Sequence, residues 1–248
     1  MLERDVAEGI HRVEDAYTNW YIVEGGDGGR SVTIVDCGFP ASWNRLPQHL
    51  AAIGRSRADV GAVVLTHAHP DHIGFAELIR TEWDVHVWLH ERDRSLARHP
   101  FRYETEHTVL RHRNLHLVRV GVAMAREGAL GTQPIGEIRG FGAEASLDVP
   151  GRPHPVHTPG HTHGHTAFAF PDRGAVVVGD ALATLEPYTG RPGPRLVSGA
   201  ANADDFAAMA SLQAIADTHA DTVLVGHGPP WRGGAQEAVD RAREYGPL

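Results

Sequence analysis

The heptapeptide Thr66-His67-Ala68-His69-Pro70-Asp71-His72 (THAHPDH) packs four side chains able to bind a metal into six residues. It follows Gly61-Ala62-Val63-Val64-Leu65, an apolar run whose valines favour a strand. In extended backbone, residues two apart point to the same side, so His67 and His69 can reach one ion. Asp71 and His72 fall where the chain turns into an expected helix ending at Arg80, and can aim elsewhere. A catalytic zinc takes about three protein ligands and keeps one position open for water. Four donors in one stretch therefore call for partners elsewhere, and for a second ion.

Three other places offer a histidine or carboxylate at a strand end in a glycine-containing turn. His161 stands in HTPGHTHGH (157–165) after the strand PVHT. Asp180 follows AVVVG, and His227 lies in GHG after TVLV. Glycine turns let backbone pack close to a site, and strand ends fix their side chains on a rigid scaffold. The chain has 18 histidines, most of them ordinary surface or polar-contact residues. The clustering within THAHPDH, with strand-end partners downstream, is what sets these apart.

The remaining sequence bounds the answer. The chain has 248 residues, 42% apolar and 22% charged, enough for a sizeable core without disulfides. Cys37, in the strand-like SVTIVDC, is the only cysteine and is expected to be a buried thiol. The 23 basic residues are all arginine, which excludes lysine-based catalysis. A net charge of −8 offers no basic face for nucleic acid. No apolar run approaches the roughly 20 residues that cross a bilayer, and the polar start MLERDVAEG carries no signal-like core. The expectation is a cytoplasmic protein with a small-molecule substrate and no membrane partner, with room left for a homodimer.

Strand patterns are expected at IHRVED, NWYIVE, SVTIVD, VHVWL, EIRGF, ASLDV, HPVHT, HTAFAF, GAVVVG and DTVLVG. Helices are expected over 41–54, 71–80, Asp204–Thr218 and Gly234–Tyr245. The third would bury Phe206, Met209, Leu212 and Ile215 on one face, capped by Asn202 or Asp204. Residues 91–130 are rich in Arg, His and Glu with a weak helical pattern, and form an expected helical insertion. Alternating strands and helices on either side of it point to layered α/β packing within one domain, 1–248.

With these residues in place, the chain resembles the metallo-β-lactamase fold superfamily. HAHPDH fits its H-x-H-x-D-H signature, and His161, Asp180 and His227 match its remaining ligand positions in order. The likeness runs from NWYIVE and IVDCG through GDAL to GHGPP. It implies a four-layer αββα sandwich with two divalent ions at one edge of the sheets. One ion would be held by His67, His69 and His161, the other by Asp71, His72 and His227, with Asp180 bridging. Such ligands suit zinc first, and iron or manganese also. Two ions about 3.5–4 Å apart can share an activated hydroxide that attacks a carbonyl, with Asp71 or Asp180 taking up the proton.

The resemblance also places His165 as a supporting hydrogen-bond partner and Asp36 near the site in an outer role. Tyr188, in LEPYTGRPGPR, is expected to be a surface tyrosine; the alternative rests on lactone-cleaving relatives, some of which use a tyrosine near there to hold an oxyanion. His163 stands where proline is common and is taken as incidental. The insertion could form a lid, its Phe101, Tyr103, Leu110, Leu115, Leu117, Val118 and Met124 receiving an acyl chain. Arg102, Arg111, Arg113 or Arg119 would then receive an anionic group.

Only 21 residues follow His227, too few for the helical extension of glyoxalase II-like enzymes. The charge disfavours nucleases, and true β-lactamases are exported and usually lack the aspartate at position 180. The branch left is a hydrolase of a small ester, lactone or thioester. The alternatives are a mono-iron oxidoreductase resembling persulfide dioxygenase, a β-lactamase-like amide hydrolase, and an inactive metal-binding protein. The first of these carries cysteine where this chain has His165.

Overall fold

A computed structural model describes residues 1–26, 28–102, 105 and 114–246. Strands β1 (Leu2–Ala7), β2 (Ile10–Asp15), β3 (Thr18–Glu24) and β4 (Val32–Val35) form an antiparallel meander. Helix α1 (Leu46–Ala52) leads to β5 (Val60–Val64), α2 (Ala76–Trp83) to β6 (Val87–His90), and α3 (Arg94–Arg98) and α4 (Leu115–Arg126) precede β7 (Arg139–Phe141). Strands β4 to β7 are parallel, and the seven lie in chain order.

After β8 (His154–His157), β9 (Thr166–Phe170) and β10 (Ala175–Gly179), a hairpin of β11 (Ala183–Leu185) and β12 (Pro192–Arg195) leaves the sheet. Helix α5 (Asp205–Ala216), β13 (Thr222–Val225) and α6 (Gly234–Tyr245) complete the second sheet, ordered β13-β10-β9-β8.

The sandwich follows from strands that are apolar on both faces, as sheets covered on two sides require. In β3, Tyr21 and Val23 face the second sheet, while Trp20 and Ile22 face the outer layer. In β10, Val177 packs inward, and Val176 and Val178 pack against α5 and α6. Between the sheets lie Ile10, Val35, Val64, Phe141, Phe168 and Leu224. Outside the first sheet, Leu46, Leu50, Phe75 and Ile79 bring in α1 and α2. Outside the second, Leu212, Ile215, Ala238 and Val239 bring in α5 and α6. The four layers are helix, sheet, sheet, helix.

Four expectations need correction. The helix over 71–80 begins only at Ala76. The His72 carbonyl accepts from the Cys37 amide at 2.6 Å, and the Gly74 amide donates to the Gly38 carbonyl at 2.9 Å. Those groups are spent on the end of β4, so the first turn cannot close. The segment 41–54 divides into a short 3-10 turn, Pro40–Asn44, and α1, with Pro47 in the first turn of α1. ASLDV forms no strand: Leu147 and Val149 are buried, but the chain turns at Pro150-Gly151 and the Leu147 amide bonds Pro153 at 3.0 Å. Phe206 is 85% exposed, and the buried stripe of α5 is Ala208, Leu212, Ile215 and Ala216. A side chain on Gly160 would lie 2.1 Å from the Ala208 nitrogen, so the helix must turn a small residue toward that loop. Asp204 is the cap, accepting from Ala207 at 2.8 Å.

Within the insertion, α4 opens with Asn114, whose Nδ2 donates to the Tyr188 carbonyl at 2.9 Å. Leu115 and Val118 are exposed, and Leu117 and Met124 half-buried. Tyr103, Leu110, Arg111 and Arg113 lie outside the described residues. Among the described residues no helix is long and apolar enough to cross a membrane.

Candidate metal centre

The C-terminal ends of β5, β10 and β13 and the β8–β9 connection meet at one edge of the two sheets. There the structure brings together all seven side chains singled out above. Three overlapping groups, His67-His69-His161, His67-His72-Asp180 and Asp71-His72-His227, each place their donor atoms within 4.8 Å of one another, and every member is buried. Asp180 stands between the two outer groups. Its Oδ2 is 3.5 Å from His161 Nε2 and 3.1 Å from His227 Nε2, and its Oδ1 is 3.3 Å from His72 Nε2. His227 Nε2 also lies 3.6 Å from Asp71 Oδ2. Gly226 makes this approach feasible, since a Cβ there would fall 1.9 Å from Asp180 Oδ1.

Four of the imidazoles are anchored through Nδ1, which leaves Nε2 turned inward. His72 Nδ1 donates to Asp36 at 2.9 Å, His161 Nδ1 to Asn202 Oδ1 at 2.9 Å, and His227 Nδ1 to the Tyr17 carbonyl at 2.8 Å. Thr66 Oγ1 donates to Asp36 at 2.8 Å and accepts from His67 Nδ1 at 3.0 Å. Metal-binding histidines are held in this manner, the outer partner fixing tautomer and ring direction. His69 differs, its Nδ1 lying 2.8 Å from His161 Nε2.

The donors fit a cation on a second ground. His67 Nε2 is buried without a hydrogen-bond partner, and the buried His72 Nε2 and Asp180 Oδ1 face only one another, at 3.3 Å, with no hydrogen bond of good geometry. Buried polar atoms are normally paired, and an unpaired set converging on one space is what a metal site presents. Two residues that bear on the cluster do not offer it a free donor. His165 accepts from the Asp180 amide at 3.1 Å through Nε2 and donates to Thr158 at 2.8 Å through Nδ1. Asp36, in the left-handed region at φ 61°, accepts from the Thr66 amide at 2.8 Å and from His72.

Charge divides the cluster in two. Burial drives His67, His69 and His165 well below the ordinary histidine range, and the neighbouring imidazoles push the same way. His161 is lowered mainly by burial. Burial acts on His227 too, but Asp180 and Asp71 outweigh it and raise it to about 9. Asp180, Asp71 and Asp36 likewise raise His72 against its burial. Asp180 is held well below its usual range by His227 and His72 despite burial. One side is thus a set of neutral donors, the other a carboxylate set balanced by imidazolium protons. A divalent cation would supply the same positive charge in their place.

Sequence reasoning missed three supports. Asn202 orients His161, the Tyr17 carbonyl orients His227, and Asp93 ties two ligand loops together. Asp93 is 2% exposed and accepts from Thr162 Oγ1 at 2.6 Å and the Gly164 amide at 2.6 Å, with the Ala68 amide also facing it. Burial raises its carboxyl in spite of these donors. Nothing in the local pattern HERD marks it. Tyr188 is half-buried against Ala183, Val197 and Ala201 rather than a plain surface residue. Burial, then the charges of Asp71, Asp180 and Glu186, push its hydroxyl upward. His163 is exposed.

Comparison with known proteins agrees with this geometry. The profile of the metallo-beta-lactamase superfamily matches residues 13–227, and the chain belongs to that superfamily. A probable metallo-hydrolase of Bacillus subtilis, YflN, is 24% identical over 243 residues, covering 92% of this chain and 87% of that protein. A metallo-beta-lactamase family protein of Thermus thermophilus, TTHA1429, superposes with a TM-score of 0.64 at 28% identity, over 94% of this chain and 77% of the other. The protein TTHA1623, solved in a di-iron-bound form, gives 0.62 at 27% identity over 92% and 96%.

Proposed function

We propose that the chain is a metal-dependent hydrolase with two divalent ions, cleaving a small ester, lactone or thioester as a single cytoplasmic domain. His67, His69 and His161 would hold one ion, Asp71, His72 and His227 the other, and Asp180 would face both. Zinc suits the donors best, and iron is the metal named for TTHA1623. Ions bound there would polarise a carbonyl and bring a water pKa down to near 7. The observation that carries this proposal is the overlap of the three donor groups at His67 and His72, with Asp180 in the middle group.

The chain's own residues divide the remaining work. Asp180, within 3.1–3.5 Å of His227, His72 and His161, would remain an anion at the centre. Asp71 is the better proton acceptor. It is somewhat more open than Asp180, 11% against 5%, and the Thr18 hydroxyl at 3.2 Å orients it. Tyr188 would donate a hydrogen bond through its hydroxyl to the oxyanion that develops on the substrate. No serine or cysteine nucleophile is required, and Cys37 is buried with its thiol pushed up by that burial.

The test is a panel of lactones, carboxylic esters, thioesters, phosphoesters and β-lactams with metal-loaded protein. Turnover of the first three classes, lost in His69→Ala together with metal content, supports the proposal. Oxygen consumption on a persulfide by protein holding one iron per chain would replace it with the oxidative alternative.

A further inference from the structure

Beside the candidate centre lies a cavity of about 190 Å³. It is lined by the buried His69 and His161, by Leu96 and Ala203 as a small apolar part, and by Arg92, Arg102 and His99, whose exposure marks its mouth. Among the described residues the one carboxylate in its lining is Asp93, already engaged by Thr162 and Gly164 at 2.6 Å each. Among the described residues no ion pair engages the guanidinium of Arg92 or Arg102, and both side chains are exposed. The next arginine, Arg94, pairs with Glu91 at 2.7 Å, and Arg12, Arg45, Arg55, Arg80 and Arg241 are paired as well. Counted over the described lining residues, the mouth is therefore positive on a chain of net charge −8. Clefts lined by one sign of charge concentrate ligands of the other.

We propose that this cavity receives an oxyanion of the substrate, a carboxylate or a phosphate, with Arg92 and Arg102 as counter-charges. The anionic arm would place the scissile carbonyl against the His69–His161 side of the centre. The volume sets the arm's length, since drug-sized pockets run from about 300 Å³ upward and this one holds only a short chain. The preferred substrate is thus a small ester, lactone or thioester carrying an acidic group, rather than a long neutral acyl compound. This inference rests on the hydrolase proposal for its chemistry, but not for its binding.

Calorimetry of the metal-loaded protein tests it with three probes: succinate, inorganic phosphate and uncharged succinamide. At least one anion is expected to bind, more weakly as salt rises, and succinamide is expected not to. Losing charge-assisted hydrogen bonds in the double variant R92Q/R102Q should cost about tenfold in affinity, with partial recovery in R92K/R102K. Arg94→Gln, outside the cavity, should match wild type, and melting curves and metal content check that each variant is folded and loaded. The succinate and phosphate arms decide which oxyanion is preferred. The proposal is overturned if R92Q/R102Q binds both anions as wild type does, which would put them on the metals alone. It is equally overturned if neither anion outcompetes succinamide. Because binding is read without turnover, a protein that hydrolyses none of the ester panel would count against the hydrolase proposal and leave this result standing. A protein that hydrolyses esters but fails here keeps its chemistry and loses this pocket.

Discussion

Replacing Asp93 by alanine should loosen the centre without removing any of the seven donors. Its carboxylate holds Thr162 Oγ1 and the Gly164 amide at 2.6 Å each, and faces the Ala68 amide. Ala68 lies between His67 and His69, and Thr162 and Gly164 are the first and third residues after His161, so one group joins both candidate ligand loops. Leaving a buried donor unpaired costs about 1–3 kcal/mol. The adjoining cavity, which Asp93 lines, lets water reach the abandoned donors and favours the lower end. Three donors at that end sum to about 3 kcal/mol. For a chain of this size that corresponds to a fall in Tm of about 6–12 °C. Asp93→Asn keeps one acceptor and should lose about half as much. Thermal unfolding followed by circular dichroism on chelator-treated protein is the assay, because metal release then cannot contribute. A Tm within about 2 °C of wild type for Asp93→Ala would refute the reasoning, since that is the effect of an ordinary surface change.

Asn19 donates to the Val225 and Gly228 carbonyls at 2.8 and 2.7 Å and accepts from Arg12 at 2.9 Å, so it braces the loop that carries His227. Asn19→Ala should cost about 2–3 kcal/mol in denaturant unfolding, and an unchanged midpoint would deny it that role. Gly226→Ala must displace Asp180, so it should lower bound metal per chain in elemental analysis more than it lowers secondary structure. Asp15 gives a pH signature remote from the metals. Burial alone would raise its carboxyl, but hydrogen bonds from Trp20 and Ser42 and the charge of Arg45 bring it below the usual value. A depressed folded pKa adds stability that is fully present above the unfolded value of about 3.9 and is lost as pH falls through the folded one. Asp15→Asn should therefore be less stable at neutral pH and show a flatter acid limb below about pH 4; parallel wild-type and variant profiles would refute this.

The fold was readable where one physical rule dominated. Doubly buried runs such as Val223-Leu224-Val225 and AVVVG are apolar throughout, and the candidate donors at their ends mark where the sheets present side chains to a site. The seven side chains that meet at the sheet edge were legible because THAHPDH is dense and its partners share a strand-end setting. The failures lie where tertiary contact overrides local pattern. Helix α2 starts late because the His72 and Gly74 backbone groups bond to the end of β4, about 35 residues earlier in the chain. Phe206 fits a helical stripe in sequence, yet Gly160 demands Ala208 instead. The support that Asp93 and Asn202 give the site is invisible in sequence for the same reason, since the residues they steady there lie dozens of positions away.

Native mass spectrometry of the protein titrated with zinc, iron or manganese counts ions directly. The account expects saturation at two divalent ions per chain, with His69→Ala and His227→Ala each losing occupancy. A folded protein that takes up no ion, or stops at one with every metal supplied in excess, would contradict it.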